Sequence, residues 1–301
     1  MPAVAPAPVT VHPTREVRTR SPVNEVTVDN GRAGTLVGTV QAWEYVLVWT
    51  PRGVVVRASL RCDTQESNLV LAGNRFAHLC YQSGANYVVM GTIRPLHAGV
   101  ALRVKGSAVV SLVGAGTLVA GSVGVVSPAV TSVIWRFDAH SKRKLRTYRS
   151  RALLVAADSG NLLVDRPHAL DVLASNGALL STLRREHDGG ALLRGGRVAT
   201  INEGRLVISD IHGGSAVVRR LAARAHLEDL YGNVVLYSVD TRLHLLRLGD
   251  RKDVTLRLPG QYGYAHAQFW QDGIFYAYNL SSGTGRVGFV DARGMRALLE
   301  H

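Results

Sequence analysis

Residues 29–37 read DNGRAGTLV, and the same arrangement, a glycine between two short apolar runs, returns six more times along the chain. The copies are LAGNRFAHL around Gly73, GAGTLVAGS around Gly116, DSGNLLVDR around Gly160, RGGRVATIN around Gly196, LYGNVVLYS around Gly232 and QDGIFYAYN around Gly273. Successive glycines stand 42, 43, 44, 36, 36 and 41 residues apart. Four strands of about six residues with four connections of about four also come to roughly forty, so one period fits one four-stranded sheet. The glycine marks a tight hairpin, where positive φ is often required and Gly adopts it without strain.

A second hairpin follows within most periods. Tyr45 to Trp49 lead into the turn Thr50-Pro51-Arg52-Gly53, after which Val54, Val56, Ala58 and Leu60 alternate with Val55, Arg57, Ser59 and Arg61. Such alternation is the signature of a strand with one buried and one wetter face. Comparable turns stand at Asn176-Gly177, His212-Gly213, Gly249-Asp250 and Asp291-Ala292-Arg293-Gly294. The expected fold is all-β, a seven-bladed β-propeller with four antiparallel strands per blade over residues 23–301. The Pro-rich residues 1–22 read as a flexible N-terminal arm, part of which could pair with the last blade.

Composition agrees. The chain has 301 residues, 47% of them hydrophobic, with 31 glycines and no long Glu/Lys/Leu-rich helical stretch, a balance that favours strands joined by tight turns. Gly106 to Trp135 carry no charge, longer than the roughly 20 residues of a membrane helix. Gly114, Gly116, Gly121, Gly124 and Pro128 interrupt this run and Val, Ser and Thr dominate it, so two buried strands are favoured over a span.

The formal charge of +13 invites an anionic partner. Arginine supplies nearly all of the excess, as a GC-rich bacterial coding sequence would. Arg57, Arg61, Arg103, Lys105, Arg143 to Arg149, Arg184, Arg185, Arg219, Arg220, Lys252, Arg257 and Arg296 fall in or beside expected outermost strands, where positive charge discourages edge-to-edge pairing. Cys62 and Cys80 lack metal-site spacing. They fall at one end of one expected hairpin, which makes a disulfide and an oxidising compartment one reading and free buried thiols the other. Residues 1–22 lack a basic stretch followed by an apolar core, so no signal peptide is expected within them, and export would require one already removed or encoded upstream.

The strand, D-x-x-G-type turn and strand of VISDIHGGSAVV and GFVDARGMRALL resemble repeats of the broad WD40-like, YVTN-like and quinoprotein-like propeller group, over roughly residues 23 to 299. The GH and WD dipeptides of true WD40 units are absent, Trp135-Arg136-Phe137-Asp138 being the nearest approach. The tryptophan-docking motif of quinoprotein blades is missing too, so the resemblance implies no quinone, and no other cofactor is expected.

Catalytic signatures fail on context. Gly283-Thr284-Gly285-Arg286-Val287-Gly288 matches G-x-G-x-x-G, but a strand and a turn follow instead of the helix that would hold a pyrophosphate. A propeller gathers chemistry at its axis, so the residues leading into each inner strand are the ones to inspect. They include Glu25, Glu66, Glu186, His187, Asp188, His226, Glu228, Asp229, His266 and Gln268. Of these Glu66, His187, Asp188, His226, Glu228 and His266 form the candidate ligand-binding set at the axial entrance. Together they have the chemistry of a divalent-metal or acid–base site, similar to the axial His and Glu of streptogramin-lyase-like propellers. Loop positions Trp43, Glu44, Asn86, Arg166, His168, Asn202, Glu203 and Arg242 are expected to be exposed anchors around that face.

The preferred reading is a non-catalytic, exported, monomeric propeller that presents its axial face to a protein or small ligand. The alternatives are a metal-assisted lyase or hydrolase built on the His/Glu cluster and a binder of an anionic polymer. Sequence-specific nucleic-acid binding is not expected.

Overall fold

A computed structural model describes residues 8–39, 42–59, 68–82, 85–94, 97–104, 109–126, 130–138, 140–158, 160–184, 190–214, 216–271 and 273–300. Each glycine-centred segment forms the first hairpin of one antiparallel sheet, and seven such sheets make a β-propeller. From the axis outward, blade one holds Thr27–Asp29, Arg32–Thr39, Ala42–Thr50 and Gly53–Ser59. Blade two holds Leu69–Ala72, Arg75–Gln82, Ala85–Thr92 and His97–Val104. Blade three holds Val109–Ala115, Leu118–Val126, Val130–Asp138 and Ser141–Tyr148. Blade four holds Leu153–Asp158, Asn161–Arg166, Ala169–Ala174 and Leu179–Arg184. Blade five holds Gly190–Arg194, Arg197–Asn202, Arg205–Asp210 and Val217–Arg220. Blade six holds Ala225–Tyr231, Val234–Val239, Arg242–Arg247 and Asp253–Arg257.

Blade seven is assembled from both ends of the chain. Gln261–Trp270, Gly273–Leu280 and Gly285–Val290 supply three strands, and Arg15–Arg18 pairs antiparallel with the third to supply the outermost. Val9–Thr10 adds a fifth, parallel strand outside blade six. The residues read as an arm therefore close the ring, and the pairing with the last blade is realised at residues 15–18. The C-terminal segment read as the outer strand of blade seven is instead a helix, Ala292–Glu300. Asp291 starts it by accepting the Gly294 N–H at 2.9 Å, a capping geometry, and Met295 and Leu298 are its buried residues. Arg296 lies on this helix rather than beside a strand.

The recurring glycine does what its turn requires in six blades, with φ between 53° and 92° from Gly31 to Gly232. In blade seven Gln271 takes the positive φ of 51°. Gly273 is needed there for space, since a Cβ would stand 2.6 Å from the Phe289 ring.

The second strand of each sheet is largely buried on both faces, which is why strands such as Arg32–Thr39, Val234–Val239 and Gly273–Leu280 read as nearly continuous apolar runs. In blade one, Leu36, Val46 and Val48 pack with Leu71 and Phe76 of blade two, while Ala33, Leu47 and Trp49 pack with Phe275 and Phe289 of blade seven. Leu47 and Leu71 are fully buried, and each such leucine contributes about 1.5–3 kcal/mol. The uncharged run from Gly106 to Trp135 forms strands of blade three where it is described. Among the described residues no helix is long and apolar enough to cross a membrane. Arg57, Arg103, Arg143, Arg184, Arg219 and Arg220 sit on outermost strands, whereas Arg257 is on a strand whose outer edge is covered by Val9–Thr10; Arg61, Lys105 and Arg185 lie outside the described residues. Cys80 is buried in the second strand of blade two, and Cys62 lies outside the described residues.

Candidate functional site

The inner strands surround an axial cavity of about 720 Å³. Its wall is divided. Blades three to five contribute mostly apolar groups such as Leu112, Val155, Ala157 and Ala191, with Arg194 of blade five the charged exception, whereas blades six, seven and one contribute His226, Glu228, Ser238, His266, Gln268 and Glu25. The polar side is built by a local break in the ladder. The register of blade six shifts between Leu227 and Asp229, so Glu228 leaves the pairing pattern; a bulge of this kind re-aims a side chain.

The Glu228 carboxylate accepts the Ser238 hydroxyl at 2.8 Å through one oxygen and faces His266 Nδ1 at 3.3 Å through the other. Burial alone would push the His266 imidazole down; the hydrogen bond and charge of Glu228, with the charge of Glu25, outweigh it and lift the imidazole above its usual range. The result is a charge-assisted pair held across two blades. His226 is exposed at the mouth.

Asp229, next in sequence, plays another part. It is buried and accepts the Leu230 and Phe269 N–H groups, each at 2.8 Å, with Arg194 Nε 3.7 Å away. Burial pushes its carboxyl up, against the pull of Arg194 and the two N–H donors. It ties blades five, six and seven together and offers nothing to a ligand. Gln268 is similarly engaged, its Oε1 accepting Val28 N–H at 2.9 Å between blades seven and one.

Three of the expected set, His226, Glu228 and His266, thus share one wall, with only His266 and Glu228 in contact. Glu66, His187 and Asp188 lie outside the described residues, as does Glu186. Among the described residues no three His, Cys, Asp or Glu side chains are arranged to hold a metal. Of the expected anchors, Trp43 is a correction: it is 6% exposed and packs with Leu36, Val46 and Leu69, because its place in a two-sided sheet buries it. Arg166 is engaged with Asp171 at 2.7 Å. Glu44, His168, Glu203 and Arg242 are exposed.

The mouth has two further residues that composition and motif reasoning passed over. Tyr262 and Tyr264 are 67% and 62% exposed. They flank Gly263, whose φ is +76°, inside a register break where Gln261 to Ala265 oppose only Leu280 to Tyr278. The extra residues leave the ladder and carry both rings outward, and Tyr264 and His266 line the axial cavity and an adjoining one. Their only sequence signal is the alternation Tyr-Gly-Tyr ahead of an inner strand.

Known structures reproduce this architecture at low identity. The Myceliophteria thermophila Cps50 (Swd1) β-propeller domain aligns with TM-score 0.62 and 13% identity over 92% of this chain and all of that one. Kluyvelomyces marxianus Hsv2 gives 0.57 and 13% over 88% of this chain and 96% of that one. Citrobacter koseri AztD gives 0.51 and 9% over 80% and 74%. No family model and no curated sequence matches the chain. At such identities the likeness establishes the fold, a seven-bladed propeller with WD40 propellers as structural neighbours.

Proposed function

We propose that this protein is a non-catalytic binding module that presents the axial mouth of its propeller to a ligand. The carrying observation is the two-sided wall: apolar from blades three to five apart from Arg194, and richer in polar groups from blades six, seven and one, with exposed Tyr264 on its lining and exposed Tyr262 on the adjoining cavity. Rigid aromatic rings beside a desolvated charged pair are the usual composition of an interface anchor. An exposed ring loses little conformational freedom on docking. That combination fits an extended protein segment crossing the rim from blade six to blade one, with an apolar side chain reaching the far wall. A monomer suffices for this, since every element of the mouth comes from one chain.

The test is a nuclear magnetic resonance titration of the labelled full chain with a mixed peptide library. Shifts clustered on His226, Tyr264 and His266, and abolished in the Tyr262→Ser/Tyr264→Ser protein, are expected. Shifts confined to the outer strands would overturn the reading.

A metal-assisted reaction is the second reading. It rests on the His266–Glu228 pair, and chelator-treated protein gaining no thermal stability from added zinc or manganese would count against it.

A further inference from the structure

At the opposite end of the inner strands, the seam between blades seven and one opens into a cleft of about 690 Å³. Its wall includes Arg32 and Arg52 of blade one, Arg94 of blade two, and Trp270, Phe289 and Asp291 from the blade seven side. Arg15, on the closing strand, packs behind it: a Cβ at Gly53 would meet its Nη2 at 3.5 Å. Among the described residues the only carboxylate in the wall, Asp291, is occupied in capping the C-terminal helix.

Among the described residues the arginines have no matching counter-charge. Arg32 donates one N–H to the Gly73 carbonyl at 2.8 Å. Among the described residues neither it nor Arg52 nor Arg94 belongs to an ion pair. Three guanidinium groups bordering one concave space favour an anion in it. Their planar forks match phosphate oxygens in particular.

The same wall carries a positioned aromatic ring. Trp270 is only partly buried and stands against Phe275 and Phe289, with ring centroids 6.2 Å away in each case. Gly31 lies directly on it: a Cβ there would come within 2.8 Å of Cζ2. The first glycine of the repeat therefore holds a tryptophan at the edge of a cationic cleft. The cavity falls in the roughly 300–1,000 Å³ range of small-molecule sites.

We infer that this cleft binds a small phosphorylated ligand carrying a planar ring, of the nucleoside phosphate class, with the phosphates on Arg32, Arg52 and Arg94 and the ring against Trp270. The site is independent of the axial mouth.

Calorimetric titration of the full chain with ATP, inorganic tripolyphosphate and adenosine tests the assignment. ATP is expected to bind more tightly than either fragment, and more weakly as salt rises. Arg52→Ala/Arg94→Ala should weaken ATP by at least about tenfold, since each charged hydrogen bond lost is worth that much. Both side chains are exposed, so the melting temperature should hold. Trp270→Phe should weaken ATP while leaving tripolyphosphate unchanged, and Arg149→Ala, an exposed arginine on another blade, should change neither. Absence of ATP binding at millimolar concentration, or full ATP affinity in the double arginine variant, would overturn the site. Tripolyphosphate binding as tightly as ATP would overturn the ring contact.

Discussion

Blade four and blade seven solve the same packing problem by different means. Blade four is continuous in sequence, with four strands of six residues each. Its polar tie is the buried Asp171, which accepts Tyr148 of blade three, Arg166 and Thr182 at 2.7–3.0 Å. Blade seven has strands of ten, eight and six residues from one end of the chain and four from the other. Its tie is Glu16 on the closing strand, which accepts the hydroxyls of Tyr276 and Tyr278 at 2.9 and 3.3 Å and pairs with Arg286. Blade four lines the mostly apolar side of the axial wall, whereas blade seven borders both the polar mouth and the arginine cleft. Departures from local rules are expected at functional sites.

The largest difference should come from removing the closure. Deleting residues 1–18 strips the outer strand from blade seven and takes the Glu16 acceptor from Tyr276 and Arg286, while Tyr278 keeps the Pro259 carbonyl at 3.1 Å. Loss of a single cooperative unfolding transition in urea is expected, because the seam then keeps no strand pairing and is joined only by packing and by scattered hydrogen bonds such as Val23–Asn279 and Val28–Gln268. A deletion protein that unfolds with the original midpoint would mean that the strand is dispensable.

Next in size are the two carboxylates themselves. Asp171→Ala and Glu16→Ala each leave a cationic partner and hydroxyls unpaired in a largely dry site, a change that costs on the order of 3 kcal/mol. Asp171 is the more buried, at 2% side-chain exposure against 17%, so its loss should shift the urea midpoint more. The reverse order would show that ring closure depends on Glu16 more than its exposure implies.

Two histidines sharpen the contrast through pH. His78 in blade two is 3% exposed, and burial outweighs its contact with the Leu79 carbonyl and lowers its pKa. A lowered folded value means that the unfolded chain binds the proton more tightly, so stability is lost as pH falls below about 6.5. His266 has a raised pKa, so its contribution is complete below the same point and lost as pH rises through the folded value. His78→Gln should therefore flatten the acid side of the stability profile, and His266→Gln the neutral side. Denaturation midpoints measured from pH 5 to 8 would show it, and matching profiles for both variants would contradict the assignment.

Much of the fold is readable from sequence because a forty-residue glycine period has few structural solutions. The C-terminal helix was not, since Asp291-Ala292-Arg293-Gly294 has the composition of a hairpin turn and of a helix start alike. Only the arrival of residues 15–18 on the neighbouring strand shows that the outer position was taken. At the mouth, His226, Glu228 and His266 were legible by counting back from the glycines. Tyr262 and Tyr264 were not, because a bulge is a register event between two strands, and neither strand alone records it. The arginine cleft was illegible for a related reason: Arg32, Arg52, Arg94 and Trp270 belong to three blades that only ring closure brings together.

The smallest expected effect is the most diagnostic of the bulge. Tyr262→Ser and Tyr264→Ser remove rings that are mostly in water, so stability should change by less than about 0.5 kcal/mol. Leu163→Ala in blade four, at a fully buried position, should cost about 2–5 kcal/mol. An exposed aromatic pair that stability does not require is what a binding surface retains and a packing surface does not. A large loss of stability in the tyrosine variants would assign the bulge to packing of blade seven and remove the rim from the ligand site.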